Sequence, residues 1–231
     1  MSTESFFGWF KKKINDDKST NTWTGKISKN TPFADCPFVV FDMELSGLDA
    51  KKDFIISIGA IKMTGSTINI SKEFYRMIKP SGTLSRENVA IHGMTPGELE
   101  NQEDLDNVFP DFLEFIEESV LVGHFVNIDL KFVNRYLKRR GLQKLSNPAL
   151  DTHNIHEWLS ENGQEFRKHY RGSSGKTDLF SIAKRYDITI DTLHNALSDS
   201  FVTAQLFQKF LYFLHAEGMH GLNEVIKIGR A

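Results

Sequence analysis

Two acidic residues separated by one position follow an apolar run near the start of the folded part of the chain. Asp42 and Glu44 come directly after residues 38–41, a run typical of a strand that is buried on both faces. Because successive side chains on a strand alternate in direction, both carboxylates are expected on one side, at its carboxyl end. Neighbouring carboxylates repel each other, and a divalent cation between them reverses that balance. The pair indicates a metal site; a solvated acidic strand end is the alternative.

Two further acidic residues lie at the predicted starts of helices. Asp129 follows the apolar run 120–123, but the helix dipole also favours an acidic residue there, so helix capping is an alternative. Asp199 falls on or beside the apolar stripe of a long predicted helix over 195–214, where a buried carboxylate needs a metal ion or a cation partner. His194 precedes this helix and could reach the same cleft, although a lone histidine there also fits a capping or core-edge role.

The elements that must position these residues follow from hydrophobic periodicity. Short apolar or β-branched runs predict strands at 38–41, 55–63, 67–78, 120–123 and around Leu150, with a hairpin across 64–66. Helical spacing predicts helices over 105–118, 128–140, 152–161, 178–186 and 195–214. Three strands followed by β–α alternation predict an α/β fold, a mixed five-stranded sheet flanked by helices.

Taken together, these motifs resemble one enzyme family over about residues 37–214. Asp42-Met43-Glu44, Asp129 after a Gly-His pair, and a His194–Asp199 spacing of five residues are similar to the DEDDh branch of the DEDD 3′–5′ exonucleases. That branch includes the proofreading epsilon subunits of bacterial replicative polymerases, ribonuclease T and oligoribonuclease. The resemblance implies a ribonuclease H-like sheet.

The resemblance also implies a mechanism, which is two-metal hydrolysis of phosphodiester bonds. Asp42 would contact both ions, Glu44 and Asp199 would complete the first, and Asp129 would bind the second. Hard oxygen ligands suit Mg²⁺ or Mn²⁺, and an imidazole suits proton transfer near neutral pH, so His194 is expected to be the general base.

The substrate implied by the resemblance is a nucleic acid with a free 3′ end, shortened with release of nucleoside monophosphates. DNA is favoured over RNA. Two alternatives stay open: an oligoribonuclease or RNA 3′-end trimming enzyme, and a non-catalytic nucleic-acid-binding module that has kept the fold.

Several residues are expected to contact the terminal nucleotide. The family's nucleotide-contacting loop matches residues 91–95. The expected substrate-binding residues are Met43 of the first motif and, from this loop, His92, Gly93, Met94 and Thr95. Leu150-Asp151-Thr152 resembles an Asp-Thr step of the family. At two positions the chain departs from the pattern: Leu45 stands where Thr is common, and Phe125 where Asn is common, so contacts around the terminal nucleotide are expected to differ.

The expected domain organisation is an N-terminal arm and linker (1–36), an exonuclease domain (37–217) and a C-terminal tail (218–231). The arm begins with an aromatic cluster, followed by a polar stretch to Asn30. This cluster could pack on its own domain, dock on a protein partner or rest on a membrane, and Lys13 weakens the membrane interpretation. The residues of the cluster are Phe6, Phe7, Trp9, Phe10 and Ile14.

Composition narrows the class of protein without choosing a function. The chain has 231 residues, a formal net charge of −2 and one cysteine, Cys36. A disulfide within the chain is therefore excluded, and a reducing cytoplasmic location is expected. No run approaches the roughly 18–20 apolar residues needed to span a bilayer, and no secretory signal is expected at the N-terminus. The net charge decides little, because bound cations would neutralise an acidic site.

Overall fold

The strands form a five-stranded sheet that is antiparallel on one side and parallel on the other. A computed structural model describes residues 27–28, 30–85, 89–90, 93–170, 175–190 and 194–231. The strands are β1 (Pro37–Leu45), β2 (Ile55–Thr64), β3 (Thr67–Met77), β4 (Val120–Gly123) and β5 (Ala149–Asp151), in the spatial order β3-β2-β1-β4-β5. The β3-β2-β1 pairs are antiparallel, and the β1-β4 and β4-β5 pairs are parallel. The predicted mixed sheet is confirmed.

Helices flank this sheet, and most of their limits agree with the predicted ones within a few residues. One difference concerns β1, which continues through Asp42 and Glu44 to Leu45. The two carboxylates therefore lie inside the strand, paired with Gly59 and Ser57 of β2. The helices are α1 (Pro96–Glu100), α2 (Leu105–Ile116), α3 (Asn127–Arg139), α4 (Thr152–Asn162), α5 (Gln164–His169), α6 (Leu179–Arg185), α7 (Ala196–Ala216) and α8 (Leu222–Gly229).

Alternation along β1 divides the core into two layers. Phe38 and Val40 belong to the cluster that contains the buried residues of α7. Phe41 belongs to the opposite cluster, with the buried residues of α2 and α3. Because alternate residues of a strand share a face, Asp42 and Glu44 continue the Phe38–Val40 series toward α7. The period of the strand thus aims both carboxylates at the helix that carries Asp199.

The core extends past the domain limits expected at positions 36 and 217. Phe33, in a short 3-10 turn, and Leu222 and Val225, in α8, are buried in the same cluster as the sheet residues. Backbone hydrogen bonds join residues 31–33 to residues 220–222, from the Phe33 N–H to the His220 carbonyl (2.8 Å) and from the Leu222 N–H to the Thr31 carbonyl (2.9 Å). The segment expected as a tail therefore completes one side of the core.

Two expectations from the sequence concern a protein partner and a membrane span. The N-terminal aromatic cluster lies outside the described residues, so its docking on a protein partner stays a prediction. Among the residues that the structure describes, no helix has the length and apolar character needed to cross a membrane.

A glycine on β2 lets the start of α7 lie directly against the sheet. A Cβ atom at Gly59 would lie 2.1 Å from the carbonyl carbon of Ala196 and 2.2 Å from the nitrogen of Leu197. The Ser200 hydroxyl donates across this contact to the Gly59 carbonyl (2.9 Å) and to the Ala196 carbonyl (2.6 Å). Since Gly59 is the partner of Asp42 in the β1–β2 register, this approach sets the distance between α7 and the carboxylates of β1.

We expect Gly59→Ala to lower the free energy of unfolding by about 1–3 kcal/mol, the usual cost of overpacking. The reason is that the added methyl group meets backbone atoms, which cannot rotate away. Urea denaturation of the purified variant measures this change.

Gly97→Ala is the matched control, because a Cβ atom there meets nothing within 4 Å and alanine is favoured over glycine in a helix. This control should be neutral or slightly stabilising. Equal stability of the Gly59 and Gly97 variants would show that α7 does not depend on the close approach.

Candidate active site

Three of the four predicted carboxylates come together between β1 and α7. Asp42 and Glu44 project from β1, and Asp199 lies in the first turn of α7. Each offers one oxygen, and these oxygens all lie within 4.8 Å of one another. Glu44 and Asp199 are buried and Asp42 is half-buried. Such a group of hard oxygen ligands is suited to a divalent cation.

The fourth carboxylate, Asp129, reaches the same cleft from the parallel side of the sheet. It is buried in the first turn of α3, which follows β4, the parallel neighbour of β1. Parallel strands bring their carboxyl ends to one edge of the sheet, where open α/β sheets form their ligand crevice. Asp129 lines a cleft of about 340 Å³ there together with Asp42, Met43, Glu44, Leu45, Gly47, Leu48, His124, Phe125 and Ile128.

The four acidic residues are coupled electrostatically. Burial raises the pKa of Asp42 well above its usual range, and the charges of Asp129, Glu44 and Asp199 raise it further. Burial also raises the pKa of Asp129, with Glu44 and Asp151 adding to the effect. Both shifts show that the folded chain disfavours the ionised form of these carboxyls. A bound divalent cation would remove this penalty, so the residues fit a metal site.

His194 lies at the same end of α7 as Asp199. Its backbone is left-handed, with φ of 57°, a conformation that a non-glycine residue adopts only when its surroundings hold it there. The next residue, Asn195, caps α7 by accepting hydrogen bonds from the Leu197 and Ser198 N–H groups, both at 3.1 Å. The Phe180 ring packs edge-on against the imidazole, with centroids 5.4 Å apart.

His124 lies in the cleft but is a structural residue in this chain. Its Nε2 lies 2.8 Å from the Thr177 carbonyl, which can only accept, so Nε2 carries the proton. The other ring nitrogen, Nδ1, lies 2.9 Å from the Thr152 hydroxyl, which also donates to the Gly123 carbonyl (3.2 Å). Burial lowers the pKa of His124 to about 4. Because both nitrogens are engaged and the ring resists protonation, His124 is a poor proton acceptor.

Asp151 is a site residue whose role was not apparent from its motif. It is buried at the end of β5, and one of its oxygens, Oδ1, accepts from the Phe125 N–H (3.0 Å) and the His153 N–H (2.9 Å). Burial raises its pKa. The Asp-Thr step therefore fixes the loop between β4 and α3, which leads into Asp129. The contact with Phe125 could not be read from local spacing, because the two residues are 26 positions apart.

Of the expected substrate-binding residues that the structure describes, one, Met43, lines the cleft. Thr95 is the N-cap of α1 in a capping box with Glu98, and within the described part of the chain neither it nor Gly93 nor Met94 is among the cleft residues. His92 lies outside the described residues. Contact of these residues with a substrate stays a prediction.

Comparison with known proteins agrees with this geometry. A family model described as an exonuclease, RNase_T, matches residues 39–207. A DNA polymerase III subunit epsilon from Aquifex aeolicus is 32% identical over 177 residues, which are 77% of this chain and 81% of that protein. A DNA polymerase III PolC-type from Thermotoga maritima is 33% identical over 202 residues, 87% of this chain but only 14% of that much longer protein.

The fold agrees with solved structures as well. Exonuclease X in complex with 5′ overhanging duplex DNA superposes with a TM-score of 0.58 at 19% identity, covering 83% of this chain and 98% of that one. At this identity the likeness concerns the fold.

We expect Asp42→Asn to stabilise the protein in EDTA. A carboxyl whose pKa is raised by folding lowers stability at any pH above its ordinary pKa, because folding must then take up a proton or bury the charge. The amide removes that cost. A gain of 1 kcal/mol would appear as a rise of about 2–4 °C in the melting temperature. The same variant should lose most of the stabilisation that Mn²⁺ gives the wild type. Thermal melts in EDTA and in Mn²⁺ measure both effects.

Asp111→Asn is the control, because Asp111 is an exposed acidic residue of α2 and should change neither melt. An Asp42→Asn protein that Mn²⁺ stabilises as much as the wild type would show that the cluster does not bind the cation.

Proposed function

Because the chain belongs to the exonuclease family whose model matches residues 39–207, we propose that it is a divalent-cation-dependent 3′–5′ exonuclease. It would hydrolyse phosphodiester bonds from the free 3′ end of a nucleic acid and release nucleoside monophosphates. The observation that carries this proposal is the carboxylate cluster, in which oxygens of Asp42, Glu44 and Asp199 lie within 4.8 Å of one another. Acidic side chains on an ordinary protein surface are exposed to water, whereas the side chains of Glu44 and Asp199 are buried.

The carboxylates would hold the cations. We propose two Mg²⁺ or Mn²⁺ ions, with Asp42, Glu44 and Asp199 around one and Asp129 toward the second. Bound ions of this kind lower the pKa of water and stabilise charge on the attacking and leaving oxygens of an in-line displacement. Among the four acids, the charges of all three others act on Asp42 and raise its pKa, so its loss should be the most damaging.

His194 would accept the proton of the attacking water. It precedes α7, the helix that carries Asp199, by two residues. The Phe180 ring packs against its imidazole, and the next residue, Asn195, caps the helix. The histidine that lines the cleft, His124, is engaged at both nitrogens, which supports assigning the base to His194.

DNA is the proposed substrate class. The relatives in Aquifex aeolicus and Thermotoga maritima are named as DNA polymerase III components, and exonuclease X was solved with duplex DNA. No described feature of the cleft favours RNA, so RNA trimming is an outcome of the test below.

We expect a 5′-labelled single-stranded DNA to shorten stepwise from its 3′ end in Mg²⁺ or Mn²⁺, with release of mononucleotides. A 3′ phosphate should block the reaction, and EDTA should stop it. Matched RNA of the same sequence should react more slowly. Cutting of circular single-stranded DNA would contradict an exonuclease, and failure to cut any of these substrates would favour a binding module.

We expect His194→Ala to lower the rate by about 10²–10⁴-fold, the usual contribution of a general base. The residual rate should rise with pH as hydroxide becomes available, and the Mn²⁺-induced rise in melting temperature should persist. Single-turnover assays across pH, with thermal melts in parallel, measure these effects.

His169→Ala, at an exposed histidine of α5, is the control and should keep the wild-type rate. A His194→Ala enzyme with the wild-type rate and pH profile would assign the base elsewhere.

A further inference from the structure

An aromatic side chain stands in a strained conformation at the mouth of the carboxylate cleft. Phe125 is 38% exposed and lines the cleft that also holds Asp42, Glu44 and Asp129. Its backbone φ is 53°, in the left-handed region, which costs a bulky residue about 1–3 kcal/mol and tends to occur at functional sites. The surrounding structure must therefore hold Phe125 in place.

A buried carboxylate supplies that support. Oδ1 of Asp151, a side chain that is only 4% exposed, accepts from the Phe125 N–H at 3.0 Å and the His153 N–H at 2.9 Å. One oxygen thus fixes two backbone positions that are 28 residues apart. The neighbouring His124 is fixed in turn by Thr152 and by the Thr177 carbonyl.

The same support aligns two rings. The imidazole of His153 lies against the Phe125 ring with centroids 4.6 Å apart and planes inclined by 33°. His153 is held at Nε2 by the Thr177 hydroxyl (3.2 Å), and the His124 ring meets Phe125 edge-on at 4.7 Å. One face of Phe125 is therefore covered, while the ring keeps exposed area on the cleft. Phe125 and His153 together are called the aromatic platform.

The position of the platform indicates what it can bind. The cleft combines carboxylates suited to cations with an apolar aromatic surface, and few ligands match both. A nucleotide does, because cations attract its phosphate and its base is planar with apolar faces. Stacking of a base on an aromatic side chain contributes about 1–3 kcal/mol and tolerates any base.

We propose that Phe125, backed by His153, stacks on a nucleobase of the strand being cut and so determines specificity for unpaired, base-bearing 3′ ends. This inference rests on the proposed function, because it needs a strand whose terminal phosphodiester lies at the carboxylates. A base held in this way must be free of its partner strand, so a paired end has to fray before it can be cut. The contact acts on binding of the strand; proton transfer stays with His194.

The test compares Phe125→Ala, Phe125→Leu and Phe125→Trp on single-stranded DNA. Phe125→Ala should raise KM by about 5–150-fold, the range that corresponds to one lost stacking contact, with a much smaller change in kcat. Phe125→Trp should stay near the wild type, and Phe125→Leu, which keeps bulk without a planar face, should resemble Phe125→Ala. Melting temperatures establish that each variant is folded.

Phe201→Ala is the matched control. Phe201 has the same 38% exposure on α7 but is not among the residues of the cleft, so its loss should leave KM and kcat unchanged. An equal rise of KM in the Phe201 variant would point to a general effect of exposed aromatic residues and would overturn the proposal.

Abasic substrates show whether the contact is with a base. An abasic site at the last or at the next-to-last nucleotide should raise KM of the wild type to that of Phe125→Ala, without raising KM of the variant further. The position at which this happens identifies the stacked base. If Phe125→Ala has the wild-type KM, or loses equally at every abasic position, the platform does not bind a base.

Failure of the proposed function can be told apart from failure of this inference. If the wild type cuts DNA and Phe125→Ala behaves in the same way, only the proposal about the aromatic platform is contradicted. If the wild type cuts nothing, binding is measured directly, by fluorescence of 2-aminopurine near the 3′ end in Ca²⁺. Quenching by the wild type but not by Phe125→Ala would support the platform without catalysis, and equal quenching by both would overturn it.

Discussion

The site depends on the contact between the start of α7 and β2, where Gly59 has no side chain. A chain that brings several carboxylates together must hold them against their repulsion, so the elements that carry them need a rigid junction. Here the backbone of Ala196 and Leu197 lies where a Cβ atom of residue 59 would be. The Ser200 hydroxyl bridges the junction to Gly59, and the Asn195 amide donates to the Tyr75 hydroxyl of β3 at 3.1 Å. Asp199 is thereby set opposite the carboxylates of β1 by backbone packing.

Apolar packing on both faces of the sheet offsets the free-energy cost of bringing these carboxylates together. Phe38 and Val40 of β1 are buried on one face and Phe41 on the other, so the strand that carries Asp42 and Glu44 is fixed by packing along its first half. Strain is found close to the site as well. Phe125 and His194 both have positive φ. Phe125 follows His124 and His194 precedes Asn195, and both of these neighbours make hydrogen bonds. Raised pKa values and left-handed backbones at one end of the sheet are consistent with a region shaped for binding rather than for stability.

Local patterns in the sequence were sufficient for the sheet and for the positions of three of the carboxylates, because those features depend on short spacings. Asp42 and Glu44 share a face through the two-residue period of a strand, and Asp199 lies five residues from His194 on a helix whose apolar stripe is evident. The participation of α8 in the core was not predictable in this way. Leu222 is buried through pairing of its segment with residues near Thr31, about 190 positions earlier. The contact of Asp151 with Phe125 was hidden for the same reason, since Phe125 lies on a different loop, 26 residues earlier.

The two sides of the cleft are built on different parts of the fold. The three clustered carboxylates come from β1 and α7, whose junction is at Gly59. Phe125 stands on the loop after β4, which is fixed by Asp151 at the end of β5. A change of side chain at position 125 therefore alters the surface beside the cluster without moving Asp42, Glu44 or Asp199. Asp129 is the link between the two sides, because it begins α3 directly after that loop, and its position depends on the support that Asp151 gives the loop. Substrate preference can then vary through the loop while the hydrolytic centre stays constant, provided that the carboxylate of Asp151 is kept.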